Sequence, residues 1–139
     1  MFTQPKILLI SSAETESKVL EEVLSEHVNL HPVRNLQDLE IALENGSYSA
    51  VFCGWSCHKG AQDSIFQTMR RTSPDLPVVV FCGTGGEREW TEVLEAGGFD
   101  LLVPPYQKSK VLPVLAHAIV SGQARRFHRE MSHSTANTR

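Results

Sequence analysis

With 139 residues, 41% of them hydrophobic and 21% charged, and a formal charge of −3, the chain has the make-up of one soluble globular domain with room for a substantial core. That charge offers no electrostatic case for a nucleic-acid-binding domain as a whole, and no run approaches the ~18 apolar residues needed to cross a bilayer. The opening Met1-Phe2-Thr3-Gln4-Pro5-Lys6 lacks the basic start, long apolar stretch and small-residue cleavage site of an export signal. The expected location is therefore the cytoplasm, and the three cysteines are expected to be reduced thiols rather than a disulfide framework.

Short apolar runs alternate with longer amphipathic ones. Ile7 to Ile10 predicts a fully buried strand. Glu14 to His27 places Val19, Leu20, Val23 and Leu24 at helical spacing, with glutamates on the other side. Asn29 to Val33 is a short strand candidate, and Leu36 to Glu44 returns to helical spacing before the stop signal Asn45-Gly46. Ser49 to Cys53 reads as a strand. Ala61 to Arg71 reads as a helix with Ile65, Phe66 and Met69 as its apolar stripe. Pro77 to Cys82 is rich in β-branched residues and predicts a strand. Glu87 to Ala96 predicts a helix with glutamate in its first turn and Gly97-Gly98 at its end. Phe99 to Val103 predicts the last strand. Ser109 can cap a final helix to about Val120, with Pro113 near enough the start to be tolerated. From Gln123 the chain is polar, with Arg125, Arg126, His128, Arg129, His133 and Arg139. Residues 1–122 are thus expected to form the domain, and 123–139 a solvated linker or tail, or a continuation of the last helix.

Apolar strands joined by helical crossovers imply an α/β architecture, a parallel sheet with both faces covered. Reactive and binding sites in such folds lie beyond the carboxyl ends of the strands. Ser11, Ser12, Gly54 to His58, Cys82 to Gly86 and Pro104 to Tyr106 are the residues expected there.

At those positions the chain resembles a response-regulator receiver domain. Lys6-Ile7-Leu8-Leu9-Ile10 is similar to the family's first strand, Tyr48 to Trp55 to its third and Pro77 to Cys82 to its fourth. Glu95-Ala96-Gly97-Gly98-Phe99-Asp100-Leu101-Leu102-Val103-Pro104-Pro105-Tyr106 resembles the family's Ala-Gly, aspartate, apolar strand and Lys-Pro-aromatic ending. The resemblance spans roughly residues 5 to 121. It implies a flavodoxin-like sandwich, five parallel strands in the order 2-1-3-4-5 flanked by five helices, and a role in two-component signalling. It also implies a cis bond between Pro104 and Pro105.

The same alignment marks what is missing. Ser11 and Ser12 stand where the family has its Mg2+-binding acidic pair, Gly54 where it has the phosphoacceptor aspartate, and Cys82 where a Thr or Ser contacts the phosphoryl group. Pro104 replaces the lysine, and Leu101 replaces a common aromatic switch residue. Phosphoryl transfer to a carboxylate needs a nucleophile, a metal and a cation for the developing charge, and serine does not supply the charge that holds Mg2+. The expectation is a pseudo-receiver, not an enzyme, with no metal and no cofactor. It would act on a protein partner, an output or sensor domain or a second copy, through the fourth helix, fifth strand and fifth helix. Trp90, Leu101 and Tyr106 are the candidate contact residues.

Other constellations carry simpler readings. Cys53-Gly54-Trp55-Ser56-Cys57-His58 is one residue longer than a haem-attachment motif, and haem attachment normally requires export. Cys57, His58 and Cys82 could meet at one rim, although structural zinc usually takes four ligands with clearer spacing. Gly83-Thr84-Gly85-Gly86 offers backbone donors for an anion, or is simply a flexible loop. Trp55 and Trp90 can each anchor a partner or pack on the rim. Asp63 and Asp100 are the nearest alternative phosphoacceptors, which leaves open a conventional phosphoreceiver with a misassigned acceptor. A small-ligand or thiol sensor built on Cys57, His58 and Cys82 is the other alternative.

Overall fold

The computed structural model describes residues 4–10, 14–54, 61–81 and 87–137. Within them the elements alternate without exception: β1 (Lys6–Ile10), α1 (Glu14–Ser25), β2 (Asn29–Val33), α2 (Leu36–Asn45), β3 (Ala50–Gly54), α3 (Ala61–Thr72), β4 (Val78–Phe81), α4 (Glu87–Ala96), β5 (Asp100–Leu102) and α5 (Lys108–Asn137). The strands form one sheet in the order β2-β1-β3-β4-β5, and every neighbouring pair is parallel. The flavodoxin-like architecture expected from the sequence is the observed one.

Strand side chains alternate between two apolar layers. Ile7, Leu9, Phe52, Val79 and Phe81 face Leu20, Leu24, Val111 and Leu115 of α1 and α5. Leu8, Ile10, Val51, Cys53, Val78 and Val80 face Leu39, Ile65, Phe66, Met69 and Val93 of α2, α3 and α4. A strand covered on both faces needs apolar residues at every position, which is why these runs show no polar alternation. Pro32 falls in edge strand β2, where its missing N–H costs no central ladder bond.

Local signals set several boundaries. Asn35 accepts a hydrogen bond from the Asp38 N–H at 2.8 Å and caps α2, an arrangement worth about 1 kcal/mol. Helix α4 closes with Gly97 N–H donating to the Leu94 carbonyl and Gly98 N–H to the Val93 carbonyl. This paired closure needs a left-handed residue, supplied by Gly97 at φ 106°.

Helix α5 departs from expectation at its start and follows one of the two expected courses at its end. It begins at Lys108, and the Gln107 carbonyl, not Ser109, takes the first N–H groups, those of Lys110 and Val111. It then runs for 30 residues, through the segment expected as a linker or as more helix, to Asn137. No glycine or proline follows Gly122, and most of residues 123–131 are good helix formers. Gly122 sits inside the helix where it passes Pro77. A Cβ at Gly122 would lie 2.8 Å from Pro77 Cδ. Seven residues on, Arg129 Nε approaches Asp75 Oδ2 at 3.0 Å. Together these contacts hold α5 against the turn that enters β4.

Candidate functional site

The carboxyl ends of β1, β3, β4 and β5 lie side by side. Ile10 pairs with Cys53, Gly54 with Phe81, and Phe81 with Leu102. Gly54 is therefore the last residue of the central strand and it is buried. The preceding side chain, Cys53, is fully buried among the α2–α4 layer. Its Sγ lies 3.8 Å from the Gly54 carbonyl.

Beyond β5 the chain passes through Val103 into an exposed Pro104, and the Pro104–Pro105 bond is cis. Lys110 Nζ donates to the Val103 carbonyl at 2.8 Å. A cation thus stands beside the turn whose own position 104 carries none. Nothing in the local pattern singled out Lys110, because a lysine in the first turn of a helix ordinarily reads as solvated surface.

Tyr106 is not a surface residue. It is only 7% exposed and meets Phe81 edge-on, with ring centroids 6.3 Å apart at 88°. Its expected place on a contact surface is corrected accordingly: the ring anchors the β5–α5 turn in the core, since burying an aromatic removes a large apolar area from water. Leu101 is half-buried on β5 and packs with the α2–α4 layer. Trp90 is 48% exposed, and Leu94, one turn on along α4, is 40% exposed. These two side chains make an apolar step on the outside of α4.

Asp100 accepts from its neighbour's N–H, that of Leu101, at 2.7 Å and sits at the opposite, amino end of β5. It is remote from the strand ends and unsuited to replace a carboxylate at Gly54. Ser11, Ser12, Trp55, Cys57, His58, Cys82 and the glycines of 83–86 lie outside the described residues, as does the side chain of Asp63. Among the described residues, no three His, Cys, Asp or Glu side chains gather as a metal site.

No family model and no curated protein matches the chain. Solved structures do. NtrX from Brucella abortus in complex with ADP superposes with a TM-score of 0.81 at 17% identity, over 96% of this chain and 30% of NtrX. The signal receiver domain of an HD domain-containing protein from Pseudomonas fluorescens Pf-5 gives 0.74 at 18% identity, over 87% of this chain and 98% of its own. The beryllofluoride-activated NtrC4 receiver domain dimer gives 0.74 at 18%, over 84% and 98%. The chain has the receiver fold. It spans less than a third of the NtrX chain it matches.

In a receiver fold the end of β3 is the centre of the carboxyl face, and Gly54 occupies it. That residue brings no carboxylate, hydroxyl or thiol to the sheet end. The described part of the face consists of backbone, apolar side chains and a proline pair, with Lys110 turned onto a carbonyl. Such a surface can present shape to a partner, but it offers no nucleophile of its own.

Proposed function

We propose that the chain is a receiver-like module of two-component signalling that lacks phosphoryl chemistry and works by protein contact, and that it is not an enzyme. One observation carries the reading: the central strand of a receiver fold ends in Gly54, where the resemblance places the phosphoacceptor. Pro104 in place of the lysine, and Ser11 and Ser12 in place of the acidic pair, remove the cation and the metal-binding charge from the same chemistry. The half-exposed Trp90 and Leu94 on α4 support the α4-β5-α5 side as the contact surface, since aromatic anchors dominate many interfaces. The partner is an output or sensor domain, or a second copy, and the setting is the cytoplasm.

Beryllofluoride with Mg2+ is the direct test, because the NtrC4 receiver is found activated by that anion. Amide spectra of this chain are expected to stay unchanged around Gly54 and Pro105, and acetyl phosphate is expected to leave the protein mass unaltered. Gly54→Asp alone is expected to restore neither response, since the metal ligands and the lysine remain absent. Saturable shifts at the strand ends of the unmodified chain would sink the proposal and reinstate a conventional phosphoreceiver.

A further inference from the structure

At the amino end of the sheet, away from Gly54, segments far apart in the chain line a cavity of about 220 Å³. They are the turn from α2 into β3, the turn from α3 into β4, and the outer part of α5; Leu43, Tyr48, Asp75, Leu76, Arg126 and Arg129 are in its wall. Tyr48 lays its ring on Gly46, where a Cβ would stand 3.0 Å from ring carbon Cε2. A larger residue at 46 would push that aromatic wall aside.

The polar groups of the cavity are of opposed kinds. Asp75 Oδ2 is shielded from solvent and accepts no hydrogen bond. Arg129 Nε is 3.0 Å away, close enough for an ion pair, but its N–H is not aligned on that oxygen. A shielded carboxylate oxygen in that condition calls for a donor. Helix α2 ends at Asn45, beside Gly46, and α3 ends at Thr72. Their carbonyl ends carry negative partial charge and add to the demand for a cation. Arg126, from α5, supplies the contrary charge, and no carboxylate among the described residues pairs with it.

We propose that this cavity binds a free amino acid. The ammonium group is held by Asp75 and the helix carbonyl ends, the carboxylate by Arg126, and the side chain lies against Leu43, Tyr48 and Leu76. A guanidinium can take a carboxylate with two parallel hydrogen bonds. Other ligands satisfy less of the site. A simple oxyanion meets Asp75 and two negative helix ends with nothing to offer them, and a simple amine meets two guanidiniums. Nucleotides are too large, since sites for molecules of that order run to ~300–1,000 Å³. The bound molecule joins the turn before β4 to α5, and so adds a tie to those of Gly122 on Pro77 and Arg129 on Asp75. The hold of the domain on α5 thereby depends on a small metabolite, whatever happens at the carboxyl end of the sheet.

Calorimetric titration of the chain with each standard L-amino acid at millimolar concentration is the test. Sodium acetate, inorganic phosphate and methylammonium chloride serve as acid-only and amine-only probes. At least one amino acid is expected to bind saturably, to raise Tm with concentration, and to slow amide exchange in residues 123–131. The single-charge probes are expected to bind about tenfold or more weakly than it does, because each leaves one charged side of the cavity unmatched. Arg126→Gln, at an exposed helical position that leaves the Asp75–Arg129 pair in place, is expected to weaken amino-acid binding by about tenfold or more. It should leave the Tm of the unliganded chain unchanged. Binding by no amino acid overturns the proposal. So does acetate or phosphate binding as tightly as the best amino acid, or an affinity that Arg126→Gln leaves intact. None of these outcomes bears on the beryllofluoride spectra, which report on the Gly54 end alone.

Discussion

The two ends of the sheet carry different kinds of information. At the carboxyl end, the described surface is a strand terminus without a side chain at Gly54, a cis proline pair and a lysine on a carbonyl. At the amino end, Pro77 receives Gly122 at contact distance and Asp75 holds Arg129. The end that hosts reactions in folds of this kind is here chemically quiet among the described residues. The opposite end makes specific long-range contacts that hold a long helix against the turn entering β4. Among the described residues, the distinctive polar contacts of this scaffold thus sit away from the carboxyl ends of its strands.

The sharpest way to break that contrast is to ask which end the fold depends on. Phe81 ends β4 beneath Gly54's side of the sheet and packs on Tyr106. Phe81→Ala is expected to cost about 3–5 kcal/mol in urea unfolding, by lost burial and the cavity left behind. A loss below 1 kcal/mol would mean that this end is loosely packed as well as chemically quiet.

Gly122 tests the other end more gently. Gly122→Val adds branched carbon where Pro77 Cδ is 2.8 Å from the Cβ position, and the net loss is expected at about 1–3 kcal/mol. The glycine-to-valine change by itself improves helix propensity by a few tenths of a kcal/mol. A variant as stable as the parent would show that α5 is not held tightly at Pro77.

The smallest expected effect is electrostatic. Lys108 Nζ, at the start of α5, lies 2.7 Å from Glu26. Its hydrogen bond and charge hold the exposed Glu26 carboxyl below its usual value. A carboxyl depressed by folding stabilises above its unfolded pKa, and that contribution is lost as the pH falls through the folded one. The urea midpoint of the chain is thus expected to exceed that of Lys108→Ala slightly at neutral pH. The gap should close on acidification through the carboxylate range. Because both groups are exposed, the difference is small and fades with added salt. A gap that widened on acidification would show that Lys108 acts through something other than Glu26.

Much of this protein is legible in local sequence. Runs such as Ile7 to Ile10 and Val78 to Phe81 are apolar at every position, and only a sheet covered on both faces uses strands of that kind. Asn45-Gly46 and Gly97-Gly98 mark helix ends, the second through the left-handed backbone that Gly97 reaches cheaply. Even the identity of the residue ending β3 follows from the apolar run that precedes it. The reach of α5 was only partly legible. Residues 123–139 read equally as linker or as more helix, and the contacts that accompany the helical course, Gly122 on Pro77 and Arg129 on Asp75, lie outside any local window.

The same limit explains Tyr106 and the outer side of α5. An aromatic residue after a proline pair reads equally well as rim or core, and only the position of Phe81 across the sheet decides that it turns inward. Val120, Ala124, Phe127 and Met131 form a periodic set in the sequence, but periodicity says which residues share a face and not which way the face points. That direction is set by Gly122 on Pro77 and Arg129 on Asp75. Sequence alone determined the order and type of the elements and the two-sided burial of the strands, because these depend on spacing and side-chain identity. Tertiary structure decided which side of α5 meets the domain and which is left outside, because that depends on contacts between segments far apart in the chain.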